Sequence, residues 1–150
     1  MKKHVTGHRS VQRAFRKLPG AITTPVNAAS RFALQPILKA AKQNVRSLGA
    51  RETGGLERSL TIKKDSRSPK SRPVHRVGPS SDSPAVRYAH LVEFGTDPHG
   101  GHPGSAPKPF LTMAFEQNDK LAVKRFADKL GPAVEKQAAK LAKKQREGKP

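Results

Sequence analysis

Residues 95–109, GTDPHGGHPGSAPKP, restrict this chain more than any other stretch. Gly and Pro supply eight of the fifteen positions. Neither repeats that densely inside a helix or strand, because proline lacks a backbone N–H and glycine loses the most entropy on being fixed. The stretch is therefore expected to be a loop that separates two ordered parts. Just before it, residues 88–94 read YAHLVEF, short and apolar with one carboxylate near the end. Just after it, Pro109 and Phe110 open an apolar run suited to a helix, with proline at the first helical position.

Downstream, a helix is expected from Pro109 to Leu130, with Phe110, Met113, Ala114, Leu121, Phe126 and Leu130 supplying its apolar contacts. Glu116 and Asp119 sit in its first half, where the helix dipole favours acids. Gly131-Pro132 should break or bend it before a weaker helix over residues 133–145.

Upstream, Val11, Ala14, Phe15 and Leu18 fall on one helical face, with Ser10 as cap and Pro19-Gly20 as stop. Thr24-Pro25 is read as the start of a second helix. Its stripe runs through Val26, Ala29, Ala33, Ile37, Ala40, Ala41, Val45 and Leu48, with a kink at Pro36 and an end at Gly49. Residues 51–55 form a turn. Residues 56–64 alternate at Leu60 and Ile62 as a strand does, and residues 74–78 supply an antiparallel partner. The Ser/Pro/Lys-rich residues 65–73 and the segment 79–84 are polar loops, either of which is a candidate for contact with a partner. Residues 88–94 fit a strand by alternation and a helix turn by Tyr88, Leu91 and Val92.

The fold class implied is α+β: a small antiparallel β-sheet packed by two long α-helices, with a basic N-terminal arm. The expected division is an arm over residues 1–23, a core over 24–131 and a helical tail over 132–150.

Charge bounds function next. The formal net charge is +19, and residues 1–76 carry 18 Lys and Arg against 3 Asp and Glu, while residues 77–150 carry 12 against 8. A field this positive draws polyanions. Arg9, Arg13, Arg16, Lys17, Arg31, Lys39, Lys42 and Arg46 are the candidate DNA-facing residues, although the last four also suit an ordinary solvated helix face. No helix-turn-helix, zinc-finger or base-stacking pattern accompanies the charge, so any DNA contact is expected to be non-specific. Cysteine is absent, which removes disulfide and thiolate chemistry. No apolar run reaches membrane-spanning length, so no membrane partner is expected.

Catalytic constellations are not found. The sequence lacks a Gly-x-Ser-x-Gly turn and a phosphate-binding Gly-x-x-x-x-Gly-Lys-Ser/Thr loop. Asp97, His99 and His102 are close enough in sequence for a metal, and His4 and His8 are spaced as a helical pair, but neither set reaches the usual ligand count. No cofactor, metal or enzymatic activity is expected. Glu93 sits between Val92 and Phe94, and a carboxylate in apolar surroundings needs a partner. An intrachain loop clamp and an inter-subunit latch both satisfy it. Gly95, next to it, suits a backbone angle that a Cβ disfavours.

Three pieces in order carry a resemblance to a known family. They are Thr53-Gly-Gly-Leu-Glu-Arg-Ser-Leu60, then Tyr88-Ala-x-x-Val-Glu-Phe-Gly-Thr96, then Pro107-x-Pro-Phe-Leu111 with Ala-Phe-Glu after it. Together, over about residues 30–139, they resemble the HK-ninety-seven-type tail-component family, the neck or tail-completion proteins of long-tailed phages. The chain departs from that pattern in a Pro/Ser insertion between Asp65 and Ser83, in its basic N-terminal arm and in its His-containing loop.

The resemblance implies a short helix over residues 88–94. It implies a structural, non-enzymatic virion protein of the neck, or head–tail connector, that completes or joins the tail as a six-fold ring of identical subunits. Head-closure and tail-terminator proteins would be neighbours, with packaged DNA nearby. The location would be the virion neck, and the host cytoplasm during assembly. Tyr88, Glu93, Phe94, Gly95, Thr96, Pro109 and Phe110 are the candidate contacts to subunits or neighbours. The alternative is a small, basic, sequence-tolerant nucleic-acid-binding protein outside phage assembly.

Overall fold

A computed structural model of the chain describes residues 8–50, 54–69 and 73–147, with side chains from residue 20 to 144 and at 147. The elements in order are α1 (His8–Ser47), α2 (Gly55–Ser59), β1 (Leu60–Lys64), β2 (His75–Pro79), a 3-10 helix (Pro84–Arg87), α3 (Ala89–Phe94) and α4 (Phe110–Glu147). The architecture is α+β, with two long helices and one two-stranded antiparallel sheet.

α1 and α4 form an antiparallel pair. The Asn44 side-chain amide donates to the Phe110 carbonyl at 3.0 Å near one end, and the Arg125 guanidinium lies 4.3 Å from the Phe32 ring centre further along. Ala29, Ala33, Ile37, Ala41 and Val45 are the buried row of α1, and Phe110, Ala114 and Ala122 the buried row of α4. Both rows step by multiples of four. Alanine at most positions lets two backbones approach and loses no side-chain entropy on burial. A row stepped by four also drifts around a helix of 3.6 residues per turn, so the buried side of α1 turns as it nears the hairpin and α3. There Leu56, Leu60, Ala85, Ala89 and Phe110 close the main core around Ile37, Ala41 and Val45. Full burial of Phe110, Leu60 and Val45 contributes roughly 1.5–3 kcal/mol each.

The hairpin pairs Leu60 with Pro79, Ile62 with Val77 and Lys64 with His75. These six share the face toward α1, because strand side chains alternate with period two. Leu60 and Ile62 are buried there.

Gly49 ends α1 as expected, at φ 63°. Its N–H donates to the Arg46 carbonyl at 3.3 Å and the Ala50 N–H to the Val45 carbonyl at 3.0 Å, the paired bonds of a Schellman cap. Other boundaries differ from expectation. α1 runs unbroken through Pro19 and Pro25, and α4 through Gly131 and Pro132, while Pro36 lies inside α1 as expected. An interior proline costs about 3 kcal/mol, yet packing of one long helix on another supplies most helical stability. The stop at Pro19-Gly20, the start at Thr24-Pro25 and the break at Pro132 are therefore absent. The expected arm falls partly on α1, and residues 1–7 lie outside the described residues.

Residues 55–59 are helical rather than strand. Gly54 turns the chain at φ 70°, and Leu56, Glu57 and Ser59 are then buried together, a grouping that a period of two would separate. Leu121, expected in the core, is exposed, and Ala122 takes its place.

Candidate assembly surface

α3 divides its residues sharply. Ser83 caps the preceding 3-10 helix by accepting the Ala85 N–H at 3.2 Å, with Pro84 in its first turn. Ala85, Ala89 and Glu93 then face inward at spacings of four, while Val86, Tyr88, Leu91 and Phe94 face outward. Phe94 is 74% exposed. A large apolar side chain in water on a short, anchored helix is an unfavourable monomer surface.

Glu93 anchors that helix. It is 5% exposed, and its carboxylate accepts the Leu111 N–H at 2.9 Å, the Thr112 N–H at 2.8 Å and the Thr112 hydroxyl at 2.6 Å. Those two N–H groups are orphan donors of the first turn of α4, so the carboxylate caps the helix and meets the positive end of its dipole. The intrachain clamp is present, made to the start of α4 rather than to the glycine-rich loop.

The segment after α3 is a narrow tongue. Thr96 and Ser105 exchange backbone bonds at 3.0 Å each, and His99 and His102 exchange them at 3.1 and 2.8 Å. Gly100 and Gly101 make its two-residue tip at φ 51° and 86°, the positive pair that a type I′ hairpin turn needs. At the base, Gly95 has φ 75°, and a Cβ there would lie 2.5 Å from the Ser105 carbonyl oxygen. The Lys108 N–H donates to the Val92 carbonyl at 2.8 Å, and its ammonium donates to the Gly49 carbonyl at 3.0 Å. The tongue, α3 and the end of α1 are thereby tied together. Between them lies a cleft of about 230 Å³ whose walls include Ala50, Leu56, Tyr88, Leu91 and Ala106.

Of the residues expected to make contacts, Tyr88, Phe94, Gly95 and Thr96 meet on this surface, with Pro109 half-buried beside it. Phe110 is fully buried and Glu93 nearly so, so both are engaged inside their own chain. Leu91 was not among the expected contacts. Its spacing of three from Tyr88 and from Phe94 is the signal for it, once the segment is helical.

The basic residues scatter. Arg31 and Lys39 are exposed and Lys42 is half-buried. Arg46 is drawn to Glu57, with its Nε donating at 2.8 Å, and this contact raises the guanidinium pKa. The side chains of Arg9, Arg13, Arg16 and Lys17 lie outside the described residues.

In the tongue, the His99 and His102 rings stack at 5.8 Å. The His99 Nδ1 contacts the Asp97 carbonyl at 3.0 Å and the His102 Nδ1 accepts the Gly104 N–H at 3.1 Å. No cluster of three or more His, Cys, Asp or Glu able to hold a metal occurs among the described residues. His4 lies outside them. No described helix is long and apolar enough to cross a membrane.

Comparison with known proteins gives one match. The family profile described as "Bacteriophage HK97-gp10, putative tail-component" matches residues 9–95, more than half of the chain. This chain belongs to that tail-component family. The matched segment runs from α1 through the hairpin to Gly95, so it holds the first of the three motif pieces and all of the second but Thr96. The third, which opens α4, follows it. No curated protein and no solved structure matches the chain.

Proposed function

We propose that the chain is a structural subunit of the phage neck, joining or completing the tail as a closed ring of identical copies. One observation carries this reading: Val86 and Tyr88 just before α3, and Leu91 and Phe94 on it, are all exposed, and α3 is held by Glu93 and Lys108. Ring closure requires one patch to meet a different patch on the next copy. The α3 face supplies the first. Exposed Phe115 and Val123 on α4 supply a candidate second. A six-fold ring between head-closure and tail-terminator proteins suits this arrangement, and its positive charge suits DNA passing nearby.

Loss of the protein during assembly should leave filled heads and tail tubes that fail to join. Electron microscopy of a null mutant complemented with Phe94→Asp tests the surface as well as the role. Phe94 is exposed, so the variant should fold and still fail to restore joined particles. Infectious particles from the null mutant would refute the junction role, and full rescue by a folded Phe94→Asp would remove α3 from the contact.

A further inference from the structure

The inward face of the hairpin changes character along its length. Leu60 and Ile62 on β1, with Val77 and Pro79 on β2, meet the apolar side of α1. The next pair on the same face is Lys64 and His75, where α1 offers Asn27 and Arg31 instead of leucine or valine. A cleft of about 250 Å³ opens there, lined by Asn27, Arg31, Ile62, Lys64 and His75. Strand alternation thus directs a lysine and a histidine into a place where an apolar pair would have continued the core.

Two facts mark this cleft as unfinished. The Asn27 Oδ1 and the His75 Nδ1 are both shielded from solvent and lack a hydrogen-bond partner, which is unfavourable for a shielded polar atom. In addition, among the described residues no carboxylate pairs with Arg31 or Lys64. Asp65, next in sequence to Lys64, accepts from Arg76 at 2.6 Å and from the Arg67 N–H at 2.9 Å. The groups that face His75 from α1 and β1 are Arg31 and Lys64, and burial together with those two positive charges lowers its pKa.

We infer that the cleft between α1 and the hairpin is a phosphate-binding site, with Arg31 and Lys64 as the charged clamp and Asn27 and His75 as hydrogen-bond donors. A tetrahedral phosphate presents enough acceptor oxygens for all four. A half-turn of the Asn27 amide points its NH2 into the cleft, and a protonated His75 donates from both ring nitrogens. The bound anion reverses the electrostatics at His75, because a negative charge nearby favours the imidazolium. The phosphate can be a backbone phosphate of DNA or a free ion. The site does not depend on ring formation.

Two measurements on the full-length protein test it. In the first, the His75 ring resonances are followed by NMR through pH titrations in chloride, inorganic phosphate and acetate. Phosphate should shift them saturably and raise the apparent pKa of His75, while acetate should have little effect. No shift with phosphate, or an equal shift with acetate, overturns the phosphate assignment. In the second, binding of a short DNA duplex is measured at fixed salt. The variant Arg31→Gln/Lys64→Gln is compared with Lys120→Gln/Lys124→Gln, which removes the same charge from α4. At least a fivefold greater loss for the first variant, with both folded by thermal melt, assigns the site to backbone phosphate. A phosphate shift at His75 with equal DNA losses assigns it to the free ion. Equal DNA losses with no phosphate shift mean diffuse charge only and overturn the site.

Discussion

The Glu93 carboxylate holds Thr112 by two bonds at once, accepting its backbone N–H at 2.8 Å and its hydroxyl at 2.6 Å. Residues on either side of the tongue are thereby joined, so the tongue is closed at its base by bonds within the chain. Removing the carboxylate leaves the partly buried donors at the start of α4 without this partner. Glu93→Ala is expected to destabilise the fold by about 2–3 kcal/mol, since both a helix cap and charged hydrogen bonds are lost. Glu93→Gln should recover part of that. Urea unfolding followed by circular dichroism measures both, and a change below about 0.5 kcal/mol for the alanine variant would show that the clamp is dispensable.

The tongue separates two kinds of glycine. At Gly95, a side chain combines a positive φ with a close approach to the Ser105 carbonyl oxygen. At Gly100 the φ is also positive, but an added Cβ meets open space. Gly95→Val should therefore cost more than the 1–3 kcal/mol typical of backbone strain alone. Gly100→Asn should be nearly neutral, because asparagine tolerates the left-handed region. Thermal melts of the two variants decide between this and a tongue that reshapes freely, in which both would melt alike.

α4 tolerates Gly131-Pro132 without needing it. Both residues are exposed, and a Cβ at Gly131 meets nothing within 4 Å. Gly131→Ala/Pro132→Ala should raise stability by about 1–4 kcal/mol, from the interior helix penalties of glycine and proline. A lower unfolding midpoint for the double variant would mean that the proline shapes the helix in a way the fold uses.

Acid should weaken the molecule through His75. Its folded-state pKa lies below the ordinary value, first through burial and then through Arg31 and Lys64. The unfolded chain then takes up the proton more readily, so stability present above the unfolded pKa of about 6.5 is lost as pH falls through the folded one. His75→Gln should flatten the stability profile below pH about 6.5 in chloride buffer. An unchanged slope would assign the acid sensitivity elsewhere.

Much of the core could be read in the residues. The α1 stripe from Ala29 to Val45, the cap at Gly49, the antiparallel hairpin and the helix opened by Phe110 all follow from local periodicity and turn chemistry. The helix limits did not. Pro19, Pro25 and Pro132 each signal a boundary locally, and a second long helix alongside overrides them, which no short window of sequence contains. Residues 55–59 failed for a related reason. Leu56 is buried in the main core and Glu57 accepts from Arg46 of α1, both contacts between residues that belong to different elements. Glu93 was legible as a carboxylate in need of donors, but the donors lie beyond the tongue. The cleft at Arg31 was legible only as charge, since its meaning comes from hairpin register.

The paired helices also have a mechanical meaning. The hairpin reaches α1 as far as Asn27, leaving residues 8–26 of α1 to extend past it. At 1.5 Å per residue that overhang is roughly 28 Å. It is a cantilever with its fixed end at the hairpin and α3. A tilt of about 5° at the fixed end would carry the free tip roughly 2 Å, from the same helical rise. A slight repacking around α3 is thus magnified at the far end of the paired helices.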